Sequence, residues 1–223
     1  MVGYLDEVWW SRFALPNIRV WQHEGQPVRL QQRTAKALAT DPDPKALACY
    51  GLWCDRGGRG KQMFLRFVTG RPVSHVTKAF VEWACGELAK AGEKGLVLIW
   101  DNASWHVSEE VREWIAGHNR AAKQNGTGIR ILVVGLPTKS PWLNKIEPKW
   151  QHGKKAIVEA EGELSAEEVE ERVCAYFRAS VQPHLVQVKV KKEQASRRAA
   201  GGQPAKASKS GRPAQETKTQ QAA

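Results

Sequence analysis

Apolar and polar positions alternate in short blocks along the first third of the chain. VGYLDEVWW (2–10), IRVWQ (18–22), ALACYGLWC (46–54) and QMFLRFVTG (62–70) are strand-like runs, parted by turn residues such as DPDP and DRGGRG. They predict an antiparallel set. The period then lengthens. In SHVTKAFVEWACGELAKAG (74–92), Val76, Phe80, Val81, Ala84 and Leu88 recur at the spacing of an amphipathic helix, with Ser74 as its cap. LVLIW (96–100) is apolar throughout, as expected of a central strand buried on both faces. A second helix is predicted over 108–126, opened by Ser108 with Glu109 and Glu110 in its first turn. A strand-like run follows at 129–137, then helices over 144–160 and 165–180, the third helix carrying a break signal at Pro148.

Three or more strands, then helix, strand, helix, strand and two helices is the order of an RNase H-like fold: α/β, with a mixed five-stranded sheet and helices on both faces. From Lys191 the composition changes. KKEQASRRAAGGQPAKASKSGRPAQETKTQQAA holds no aromatic residue and no Leu, Ile or Val, too little apolar surface to offset its ordering entropy. The chain therefore divides into a domain over 1–188 and a basic, disordered tail over 189–223. Eight lysines and arginines against two glutamates in 191–223 supply more than half of the net charge of +11. That excess suits a polyanionic partner, nucleic acid first; the tail is open to reading as a solvated appendage or as a phosphate-binding arm. Cys49, Cys54, Cys85 and Cys174 form no C-x-x-C pair and read as reduced core thiols. No leader and no membrane-spanning run is visible, so a cytoplasmic location is expected.

Two further stretches raise a chemical question. LIWDNASWH (98–106) ends an apolar run on Asp101, and SPWLNKIEPKW (140–150) sets Glu147 among turn and helix-start signals. Asp101 falls at the carboxyl end of a predicted central strand, where open α/β sheets place catalytic groups. Asp6 lies in the first strand, on the face of Tyr4 and Val8, while Glu7 points the other way. If the first and fourth strands are neighbours, Asp6 and Asp101 converge, and Glu147 reaches the same edge from the following helix. Three clustered carboxylates repel one another until a hard divalent cation, Mg²⁺ or Mn²⁺, binds them. Two such ions about 3.5–4 Å apart serve phosphodiester chemistry. Singly, an aspartate after a strand is a common turn former and a helical glutamate is ordinarily solvated.

LDEVWW, WDNASWH and LPTKSPWLNKIEPKW resemble the three catalytic blocks of the DDE transposases of the Tc/mariner superfamily, bacterial insertion-sequence branch, and the match spans residues 1 to about 180. The resemblance implies that Asp6, Asp101 and Glu147 form the catalytic, metal-binding triad, with 45 residues between the last two. It implies metal-dependent DNA strand cleavage and strand transfer on transposon ends and target, by a chain that is a homodimer when active and nucleoid-associated in a bacterium. Similar proteins usually carry proline where this chain has Lys145. They also carry a helix-turn-helix region ahead of the first aspartate. With Met1 five residues before Asp6, the chain is expected to be the catalytic half of a split or truncated transposase, and an upstream-encoded helix-turn-helix part stays open as its partner. Pro148 directly after Glu147 requires Glu147 in the first helical turn, with Asn144 as cap.

Around the triad, Asn102 and His106 are candidates for site assistance, DNA contact or a purely structural hydrogen bond, and Lys154 and Lys155 for phosphate contact or a solvated face. Most of the ten tryptophans, Trp9, Trp10, Trp53 and Trp105 among them, are expected in the core. Two other functions stay open: a catalytically silent remnant that binds DNA without sequence preference, and a stand-alone RNase H-like nuclease.

Overall fold

The computed structural model describes residues 1–12, 40–157 and 164–188. The run expected as a strand at 18–22, the end of the helix expected at 144–160, and the tail from Lys191 lie outside the described residues. The chain divides into a unit over Met1–Gln187 and a second over Val188–Ala223, of which only Val188 is described.

Strand β1 (Val2–Ser11) pairs antiparallel with β2 (Ala46–Asp55) along ten residues, and β2 with β3 (Lys61–Thr69). The DRGGRG turn between β2 and β3 needs glycine, because Gly57 and Gly60 stand at φ of 62° and 92°. Helix α1 (Ser74–Lys90) then leads to β4 (Gly95–Trp100), which crosses to the far side of β1 and runs parallel to it. Helix α2 (Glu109–Asn125) connects β4 to the parallel edge strand β5 (Arg130–Gly135). Helices α3 (Glu147–Ile157) and α4 (Ala166–Phe177) follow, and a two-residue strand β6 (Leu185–Val186) closes on β3. The sheet order is β5-β4-β1-β2-β3-β6.

The mixed sheet with helices on both faces is therefore as expected, but it has six strands, not five. β6 escaped notice because two residues are too few to show a period. On one face, α1 and α2 bury Val76, Phe80, Ala84, Leu88, Val111 and Ile115 against Leu5, Tyr50, Leu52, Leu96, Leu98 and Trp100. On the other, α3 and α4, with Ile146 just ahead of α3, bury Trp150, Val169 and Val173 against Tyr4, Val8, Trp10, Cys49 and Phe67. The strand covered on both faces is β2, whose eight interior residues are all buried. β4 instead alternates, with Val97 and Ile99 only half-buried, because α3 and α4 lie over β1, β2 and β3.

Local chemistry sets the helix starts. Ser108 accepts from the Val111 amide, and Ser165 with Glu168 forms a reciprocal capping box. Ser74 is no cap; it is the first helical residue behind Val73. Arg12 ties residue 12 to Asp41, Asp43 and the Leu164 carbonyl. All four cysteines are buried free thiols, and burial pushes each one up from its usual pKa. Trp10, Trp53, Trp100 and Trp150 are core residues, but Trp9 is 46% and Trp142 72% exposed. Among the described residues no helix is long and apolar enough to cross a membrane.

Candidate metal site

The parallel register of β1 and β4 pairs Tyr4 with Ile99, and both chains then run on to the same sheet edge, where Asp6 and Asp101 line one cleft. Tyr4 and Ile99 share the sheet face that α3 and α4 cover, and Asp6 follows them onto it. β4 and β5 stop at Trp100 and Gly135, while β1 continues to Ser11. The step this leaves in the sheet edge is one wall of a cleft of about 310 Å³. Asp6, Asp101, Asn102, Lys139, Asn144 and Glu147 are among the residues lining it.

Each carboxylate is held by its own element. Trp150 Nε1 donates to Asp6 Oδ2 at 3.1 Å. This contact depends on Gly51, which faces Asp6 across the β1–β2 ladder: a Cβ there would lie 2.2 Å from the Trp150 ring. Glycine in an otherwise apolar strand marks this close approach, a signal available in ALACYGLWC and unused by the sequence reading. Asp101 Oδ1 accepts from the Ala103 amide at 2.9 Å and pairs with His106 Nδ1 at 2.8 Å. Glu147 is the first residue of α3, so Pro148 falls where its missing N–H costs nothing. Asn144 does not cap α3. Its Nδ2 donates to the Leu5 carbonyl at 3.1 Å, tying the loop before α3 to β1 one residue ahead of Asp6.

Asn102 donates to the Leu136 carbonyl at 2.6 Å, holding the β4 and β5 ends together. His106 is buried and stacks on Trp100 with ring centroids 4.8 Å apart and planes 3° apart. Its Nε2 meets Glu7 Oε1 at 2.7 Å. Glu7 thus occupies the opposite face from Asp6, as the alternation predicts, yet connects to Asp101 through one imidazole; spacing along the chain could not reveal that link. Lys154 is half-buried and borders a second depression with Asp6 and Glu147, whereas Lys155 is exposed.

The charges are poised unequally. Burial and then the charges of Glu147 and Glu7 raise the Asp6 carboxyl from 3.8 to about 7. Burial also raises Glu147, helped by Asp101 and opposed by Lys154. The His106 hydrogen bond, with that of Ala103, holds Asp101 below the usual carboxylate range. Burial by itself would lower His106, but its bonds to Asp101 and Glu7 outweigh it and raise the imidazole to about 9.

These residues fit a divalent cation. Three carboxylates line one cleft with Asn144, whose Oδ1 is buried and has no partner among the described residues; all are hard oxygen donors. As placed, no three His, Cys, Asp or Glu among the described residues form a finished metal cage; Asp6 bonds Trp150, and Asp101 bonds His106.

The mixed sheet, with one aspartate in β1, another just past the end of β4 and a glutamate at the start of α3, belongs to an endonuclease family. The chain belongs to the DDE superfamily endonucleases, whose family model matches residues 2–169. Comparison with curated proteins finds no match. Among solved structures, the fold is similar to a Mos1 transposase paired-end complex with left transposon end, at a TM-score of 0.55 and 17% identity over 80% of this chain and 48% of that one. It is also similar to the Mos1 strand transfer complex, at 0.51 and 15% over 80% and 47%, and to a Mos1 mariner paired-end complex with Mn, at 0.51 and 16% over 80% and 48%. The chain spans about half the length of these structures.

Proposed function

We propose that this chain is the catalytic domain of a Tc/mariner-type transposase of the bacterial insertion-sequence branch, cleaving and joining DNA strands with Mg²⁺ or Mn²⁺ held by Asp6, Asp101 and Glu147. The observation that carries the reading is the convergence of these three residues, far apart in sequence, on one cleft. Divalent cations bound there, two in this reading, supply activation of an attacking hydroxyl or water and neutralise the leaving oxygen. The chain's own residues do the rest. β1 and the loop after β4 bring the two aspartates to one cleft, Trp150 and His106 orient them, and Lys154 balances Glu147 and is placed to meet a phosphate. Recognition of particular transposon ends is assigned to a helix-turn-helix part outside these 223 residues, and the active form to a homodimer.

The test is cleavage of labelled DNA with Mg²⁺. Asp6→Asn, Asp101→Asn and Glu147→Gln should each abolish it while leaving the melting curve cooperative. Cleavage that survives all three would reject the triad. Binding without metal-dependent cleavage by the parent would assign the silent-remnant reading, and preference for an RNA–DNA hybrid the nuclease reading.

A further inference from the structure

Asp101 stands one residue past the end of β4, and its side chain is 54% exposed. A carboxylate so placed has several rotamers open to it, and a metal or phosphate site needs one. Both contacts that restrain it fall on the same oxygen: the Ala103 amide and His106 Nδ1 each meet Oδ1, which leaves Oδ2 turned free of partners among the described residues. His106 is itself immobilised. Its side chain is fully buried, lies flat on Trp100, and is fixed at its other nitrogen by Glu7 Oε1, on a side chain only 8% exposed. Because a carboxylate oxygen only accepts, both ring nitrogens act as donors in this arrangement.

Packing alone does not account for Glu7. A buried carboxylate is costly unless it is partnered, and Glu7 meets the imidazole and the Tyr50 hydroxyl, which itself bonds Thr77 of α1. What Glu7 adds is an anchor on the sheet: at residue 7, β1 is held in the ladder by β2, its pairing with β4 being confined to residues 2–4, and its neighbouring residues 6 and 7 reach the cleft by two routes. Asp6 enters from one face directly. Glu7 acts from the other face, through the imidazole and onto Asp101.

We propose that Glu7 and His106 are positioning residues, a buried carboxylate–imidazole pair that fixes Asp101 so that its Oδ2 is the oxygen presented to a divalent cation. The inference rests on the reading of Asp101 as a metal ligand. Partners that orient a ligating side chain typically change metal affinity about 10–100-fold when removed.

The experiment is Mn²⁺ binding to the full chain, followed by the electron paramagnetic resonance of free Mn²⁺, with melting temperature measured in parallel. The variants are Asp101→Asn, Glu7→Gln, His106→Phe, which keeps a ring on Trp100, and the Glu7→Gln/His106→Phe double. Asp101→Asn should lose most binding. Glu7→Gln and His106→Phe should each raise the Kd about 10-fold. The double should be no weaker than His106→Phe alone, since Glu7 reaches Asp101 through the ring. Losses that add would show Glu7 acting by its charge and overturn the inference, as would unchanged affinity in both single variants while Asp101→Asn fails to bind. If the parent does not bind, or Asp101→Asn binds as well as the parent, the metal-ligand reading itself falls, and this inference with it. Should His106→Phe not fold, Glu7→Gln is compared with Glu7→Asp, which keeps the charge but falls one methylene short of the ring. Weakening in Glu7→Asp supports positioning, and parent-like affinity there refutes it.

Discussion

Asp6 shows how one side chain couples stability to ligand binding. Its carboxyl is raised from 3.8 to about 7 by burial and by neighbouring acids. A carboxyl raised on folding favours the folded state fully below the unfolded value, and that contribution fades as pH climbs through the folded one. In chelator, the metal-free parent should therefore lose melting temperature between pH 4 and pH 8 relative to Asp6→Asn, which has no proton to lose. The gap between the two melting curves should widen in that window; parallel curves would remove Asp6 as the titrating group. The same ionisation sets metal affinity, so Mn²⁺ binding to the parent should strengthen as pH rises through about 7.

At the scale of elements, the packing of α3 on the sheet decides where Glu147 stands. Trp150, one turn beyond Glu147, lies over Gly51 and bonds Asp6, and Gly153 lets Phe177 of α4 and Trp10 of β1 approach to within contact distance. Gly51→Ala drives a methyl into the indole. It should destabilise the protein by about 1–3 kcal/mol in urea melts and weaken Mn²⁺ binding as well, because α3 must shift. Ser165→Ala removes the capping box of α4 far from the cleft. It should cost about 1 kcal/mol and leave Mn²⁺ affinity as it was. If both substitutions changed affinity alike, the route through Trp150 would be wrong.

For the whole molecule, the charge distribution bears on partner binding. The segment from Lys191 holds more than half of the net charge of +11 and no aromatic residue, Leu, Ile or Val. Removing residues 191–223 should leave the melting temperature unchanged. Binding to DNA of arbitrary sequence should weaken, and the slope of log K against log salt should become shallower as phosphate contacts are lost. An unchanged slope would assign the segment no contact with DNA.

The chain's own pattern determined much of this protein. Helical periodicity in 74–92 named the residues that α1 buries, Ser108 marked the start of α2, and Pro148 required Glu147 in a first turn, which is where it stands. These are local effects: side-chain period, capping and proline geometry act within a few residues. The adjacency of β1 and β4 had to be assumed, and the tertiary structure supplied it. It also decided what no spacing encodes: that β2 and not β4 is covered on both faces, that Asn144 serves β1 instead of capping α3, that Gly51 makes room for Trp150, and that Glu7 reaches Asp101 through His106. Each of these joins residues more than forty positions apart or depends on which helix lies over which strand. Packing and burial set such contacts, and they arise only when the layers close on one another.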